Sequence, residues 1–97
     1  MNYHQGDVFL KRVKKIPGNA VEIRKDIVMY GEITGHKHCL VDSILYEYNG
    51  KYYLRNTRNN NTMTHNVHPP VKEIEKGDYE VIIQEEYFPE GNKKVLD

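Results

Sequence analysis

Apolar residues in this chain fall in short runs that alternate with polar ones, with Gly, Pro or Asn between the runs. That period of two predicts strands, and no stretch holds the three-to-four spacing of a long helix. The first predicted strand covers residues 7–13, after Gly6 and ahead of the Pro17-Gly18 turn. Shorter runs follow near residues 21–23 and 27–33. Next comes His36-Lys37-His38-Cys39-Leu40-Val41, in which alternation sets Cys39 and Val41 on the face opposite the histidines. With the histidines toward a pocket, Cys39 and Val41 would turn toward the core.

The strongest local signal is the hairpin. Asn49-Gly50 joins Ile44-Leu45-Tyr46-Glu47-Tyr48 to Lys51-Tyr52-Tyr53-Leu54-Arg55, and a two-residue turn of this kind needs positive φ at both positions, which Asn and Gly tolerate. The register then sets Tyr46 against Tyr53 and Leu45 against Leu54. One face carries Ile44, Tyr46, Tyr48, Tyr53 and Arg55; the other carries Leu45, Glu47, Tyr52 and Leu54. The tyrosine-rich face reads as sheet stabilisation rather than as a stacking platform. Residues 58–61 form a polar loop leading into a strand at residues 62–65. Residues 71–76 are ambiguous, residues 79–87 form the longest run, and the polar end at 89–97 reads as a mobile tail or edge arm. The expectation is an all-β chain of about seven to eight short antiparallel strands in a small compact barrel or sandwich.

Length and charge narrow the classes. At 97 residues the chain is one domain, 1–97, with one modest core. Fourteen Lys and Arg balance fourteen Asp and Glu, so there is no bulk positive field to gather nucleic acid or an anionic membrane. The sole cysteine, Cys39, excludes an intramolecular disulfide and suits a reducing compartment. No apolar run approaches the roughly 20 residues of a membrane helix, and the start lacks a signal pattern. A cytoplasmic address is the expectation.

Four of the five histidines lie in two tight pairs, Gly35-His36-Lys37-His38 and Thr64-His65-Asn66-Val67-His68. Spacing by two puts His36 and His38 on one face of a strand. Spacing by three cannot do that, and Pro69-Pro70 rules out a continuing helix, so His65 and His68 belong to a strand end or turn. Antiparallel pairing could bring the pairs together as three or four nitrogen ligands for one divalent transition metal, with Zn, Ni, Mn and Fe as candidates. Asp42 or Glu47 would be auxiliary carboxylates, and Cys39 alternates away. Gln5 and Asp7 could hydrogen-bond the histidines from behind, although Gly-Asp is also a common turn into a strand.

Taken together, Gln5-Gly6-Asp7-Val8, Thr34-Gly35-His36-Lys37-His38, Thr64-His65-Asn66-Val67-His68 and Glu86-Tyr87-Phe88-Pro89 resemble a family of small uncharacterised proteins of bacteria and phages. The resemblance covers nearly the whole chain. In that family a Gln-Gly-Asp-Val start is followed by Thr-Gly-His-x-His, Thr-His-x-x-His and a closing Arg-Glu-Tyr. This chain has Glu85 where the closing arginine falls, and Asn66-Val67 where acidic residues are commoner. The resemblance implies that the histidines act as one set. His36-Lys37-His38 with Asp42 is also similar to the first motif of cupins, but the spaced glycines and final histidine of that pattern are missing.

The function expected is therefore a metal- or small-ligand-binding module built on His36, His38, His65 and His68. Lys37, Arg55 and Arg58 are the candidate cations for an anionic ligand. One alternative is an enzyme that uses the metal, or one imidazole as base and another as acid, on a nucleotide or other phosphoester. Another is a phage-type inhibitor of a host protein. No nucleophile motif or phosphate loop accompanies the histidines.

Overall fold

The computed structural model describes residues 1–30 and 36–84, all strand, turn or extended chain with no helix. The expected tail at 89–97 and the motif at residues 86–89 lie outside the described residues. Eight strands follow one another: β1 (Tyr3–Gln5), β2 (Val8–Val13), β3 (Val21–Tyr30), β4 (Lys37–Tyr48), β5 (Lys51–Asn56), β6 (Asn61–Thr64), β7 (Val71–Ile74) and β8 (Gly77–Ile83). All pairings are antiparallel, in the order β1-β2-β8-β5-β4-β6-β7, with β3 on β4. The first and last strands of this path come together, so the sheet curls into a nearly closed barrel.

Side chains make that closure. The Tyr3 hydroxyl donates to the Glu73 carbonyl and accepts from the Glu75 N–H, at 3.3 and 3.1 Å. The Gln5 amide donates to the carbonyls of Met63 and Pro69, both at 3.0 Å. Inside lie Val8, Leu10, Leu40, Leu45, Leu54, Met63, Ile74 and Tyr79. A buried leucine of this kind contributes about 2 kcal/mol through the apolar surface it removes from water.

The hairpin forms in the expected register, Tyr46 opposite Tyr53 and Leu45 opposite Leu54. Asn49 and Gly50 take φ of 50° and 77°, as a primed turn requires.

Several expectations need correction. The run at 21–23 and the described part of the run at 27–33, residues 27–30, are one strand, β3, whose register against β4 shifts three times. Each bulge puts an extra residue between paired ones and breaks the visible alternation. The runs at 36–41 and 44–48 are likewise one strand, β4, passing through Asp42 at a φ of 55°. Asp is among the few residues that tolerate such a φ. β1 was not expected at all, being three residues long. The facing of β4 is also reversed. His38 and Leu40 are buried while Val41 is 51% exposed and Cys39 half-buried, so the histidine face is the core face.

No described helix is long and apolar enough to cross a membrane.

Candidate functional site

Three pieces of chain meet at one end of the barrel: the β1–β2 turn with Gln5, Gly6 and Asp7, the start of β4 with His36 and His38, and the bend after β6 with His65 and His68. The pairing of Cys39 with Thr64 lays the start of β4 beside the end of β6. This register brings the two histidine pairs together. His65 lies between the others, its ring centre 4.3 Å from that of His38, 4.9 Å from His68 and 5.6 Å from His36. His4 lies apart, its ring beside Phe9 at 6.2 Å.

Gly6 makes the approach possible. Its φ is +58°, and a Cβ there would sit 2.7 Å from Cδ2 and 2.8 Å from Nε2 of His68, and 3.4 Å from Cε1 of His38. Any other residue would face both a left-handed backbone and a blocked space. The bare backbone of Gly6 thus seats both imidazoles beside Asp7.

The hydrogen bonds fix the chemistry of two rings. Gln5 points its amide nitrogen at two carbonyls, so its oxygen must be the atom facing His38 Nδ1, at 3.0 Å. An oxygen there can only accept, so His38 carries a proton on Nδ1. When the ring is neutral its lone pair is on Nε2, 3.6 Å from Asp7 Oδ1. His65 is held the opposite way. Its Nδ1 accepts the backbone N–H groups of Val67 and His68, at 3.0 and 3.3 Å, so the proton of the neutral ring is on Nε2.

Asp7 Oδ1, His36 Nδ1, His65 Nε2 and His68 Nε2 are all buried, and His68 Nε2 has no hydrogen-bond partner among the described residues. As the side chains stand, no group of three or more His, Cys, Asp or Glu among the described residues is arranged to hold a metal ion.

The candidate cations fall elsewhere. Arg55 binds Asp78 at 3.0 Å and covers the Tyr46 ring at 5.6 Å; the hydrogen bond it donates to the Asp78 carboxylate raises its pKa above the ordinary guanidinium value. Arg58 pairs with Asp42 at 3.5 Å. Lys37 is on β4 between His36 and His38 but exposed, on the opposite face. Of the auxiliary carboxylates, Asp42 is on Arg58 and Glu47 is exposed beside Tyr52. Sequence reasoning gave Gln5 and Asp7 a supporting part at most and gave Gly6 none. The signal that could have found them is their adjacency in Gln5-Gly6-Asp7, one polar group on either side of a residue able to take positive φ.

The chain belongs to the family described as Domain of unknown function (DUF8820), which matches residues 4–84. That span takes in every element of the site. No curated protein and no solved structure matches the chain.

Proposed function

We propose that this protein is a metal-binding module that takes one divalent transition ion at the mouth of its barrel. His38 Nε2, His68 Nε2 and the Asp7 carboxylate are the donors, and His36 is the further imidazole of the set. The observation that carries the reading is the buried His68 Nε2 with no hydrogen-bond partner among the described residues, on the same Gly6 backbone as His38. A buried nitrogen of that kind calls for a bound water or ion.

Two further points support it. Two atoms bonded to one tetrahedral ion at about 2.0–2.2 Å stand on the order of 3.4 Å apart, close to the 3.6 Å between His38 Nε2 and Asp7 Oδ1. Gln5 also does what partners behind a metal-binding histidine do, holding Nδ1–H so that Nε2 offers its lone pair. Since three donors do not yet converge, uptake would draw His68 inward from its bend, the least buried part of the set.

The test is elemental analysis of protein purified without a histidine tag from medium supplied with Zn, Ni, Mn and Fe. One ion per chain is expected, lost in His38→Ala and in His68→Ala and kept in His4→Ala. A metal-free wild type that also shows no thermal shift with any of the four ions sinks the reading. The second reading would then stand on the opposed protonation of His38 and His65, a proton acceptor and a proton donor side by side for a small polar ligand.

A further inference from the structure

His38 is fully buried, so a ligand that reaches its ring must displace one wall of the site. Three walls surround it, and they are not held alike. The β1–β2 turn is fixed by the pairing of Gln5 with Val8 and by the Gln84 N–H on the Asp7 carbonyl at 2.7 Å. The start of β4 is paired with two strands, Lys37 opposite Tyr30 and Cys39 opposite Thr64. Residues 65–70 have no such ladder, because strand pairing stops at Thr64 and resumes at Val71. Pro69 and Pro70 also lack the N–H that a ladder would use. A side chain ties the stretch instead. Gln5 donates to the Met63 carbonyl ahead of it and to the Pro69 carbonyl within it, both at 3.0 Å.

Within itself the stretch is braced. His65 Nδ1 accepts the N–H groups of Val67 and His68 at 3.0 and 3.3 Å, bonds that need no other element. Its outer side is bare, with Asn66, Val67, Pro69 and Pro70 exposed. We infer that residues 65–70 are a strap that swings off the buried His38 as one body, carrying His65 and His68 with it, and that Gln5 is the latch. The latch is itself buried, and its one planar amide serves both sides. The nitrogen holds the strap, while the oxygen holds His38 Nδ1 at 3.0 Å. Opening therefore disturbs the group that also fixes the His38 proton, which couples entry to the state of the ring that receives the ligand. The inference concerns the path to His38 and not the donor set, so it holds whichever ligand the site takes.

The test is nitrogen-15 relaxation dispersion, which reads exchange on the μs–ms scale of hinged motions, on wild type and Gln5→Glu. Both are treated with a chelator, so that metal content does not decide the outcome. A carboxylate at position 5 still accepts the His38 Nδ1–H but cannot donate to the Met63 and Pro69 carbonyls. Gln5→Met, which removes all three bonds, is the second variant should the first fail to fold. In wild type the amides of residues 65–68 should share one exchange process that those of Cys39 and Leu40 lack. The open-to-closed ratio should rise by about tenfold or more in Gln5→Glu, since each lost hydrogen bond shifts such an equilibrium several-fold. Imidazole nitrogen shifts should keep His65 protonated on Nε2 throughout, because the bonds that set that form lie inside the strap. Exchange in the variant no greater than in wild type, including none in either, overturns the inference. So does equal exchange at Cys39 and Leu40, which means a loosened barrel end, or loss of the His65 form, which means that the stretch melts instead of swinging. Asn56→Ala separates the latch from mere loss of stability. It should leave strap exchange at the wild-type level, and a rise to match Gln5→Glu would overturn the latch.

Discussion

The barrel buries polar side chains in two places, and the two differ in how fully their hydrogen bonds are made. Around Asn56 and Asn61 every side-chain amide nitrogen and oxygen has a partner. The Asn56 amide donates to the carbonyls of Ile74 and Glu75, and its oxygen accepts from the Arg58 N–H and the Asn61 amide. Asn61 also donates to the Val41 carbonyl at 2.6 Å, and its oxygen accepts the Thr62 N–H. Ser43 completes the group with its hydroxyl on the Leu40 carbonyl. Around the histidines, by contrast, His68 Nε2 is buried with no hydrogen-bond partner among the described residues. A network that satisfies itself holds strands in place and offers nothing to a ligand. One that leaves a buried nitrogen unsatisfied has chemistry in reserve.

The sharpest way to break the comparison is to damage the closed network. Asn56→Ala removes four hydrogen bonds of a buried network, taking from Asn61 one of its two acceptors and from the Ile74 and Glu75 carbonyls a donor, a cost of about 3 kcal/mol. For a domain of this size that lowers Tm by about 10–20 °C, read by thermal denaturation. Metal uptake by the fraction still folded should be unchanged. A parallel loss of metal affinity would mean that the two regions are not separate.

Gln5 belongs to the other region, and there the balance reverses. Gln5→Leu deletes the acceptor that fixes the His38 proton and should lower metal affinity by about 10–100-fold. Gly6→Ala should also weaken binding, by about tenfold, because the new methyl meets the His68 ring. Competition against a chelator measures both. If Gly6→Ala keeps full affinity, the seating of His68 on that backbone is not what aligns its nitrogen.

The two regions were unequally legible in the sequence. The histidine pairs announce themselves by residue type, and the Asn49-Gly50 turn fixed one hairpin register by backbone geometry alone. Spacing by two put His36 and His38 on a common face but could not say that this face was the inner one. That depends on Gln5, distant in sequence, meeting Nδ1 of His38 inside the barrel. Asn61 read as polar loop, because asparagine is ordinarily a turn residue, and Asn56, just past the hairpin run, drew no reading. Only the meeting of β4, β5, β6 and the end of β7 supplies the carbonyls that make burying them tolerable. β3 and β4 were each cut in two because bulges and the positive φ of Asp42 interrupt a periodicity that sequence reading takes as continuous.

Tyr79 sharpens the comparison through pH. Its hydroxyl donates to the Glu75 carbonyl at 2.6 Å, the same carbonyl that Asn56 reaches, so it belongs to the closed side. Burial first, and then the neighbouring Tyr3, push its pKa up from 10.0 to about 12. A folded pKa above the unfolded one means that the stabilisation is complete below about pH 10 and is lost as pH rises toward 12, because the unfolded chain ionises first. The stability advantage of wild type over Tyr79→Phe in urea denaturation should therefore be flat up to about pH 10 and shrink above it. A constant advantage across that range would mean that the hydroxyl is not held neutral by the fold.

The smallest expected effect comes from the surface, where sequence reading placed an anion-binding arginine. Arg58 meets Asp42 at 3.5 Å with both side chains more than half exposed, and such a pair is worth about 0–1 kcal/mol because water and salt screen it. Arg58→Ala should move Tm by no more than a few degrees and leave metal uptake untouched. If metal uptake instead falls with Arg58→Ala, the Arg58–Asp42 pair is coupled to the histidine site. The site would then extend beyond the histidines toward the asparagine network, and the two regions would have to be treated as one.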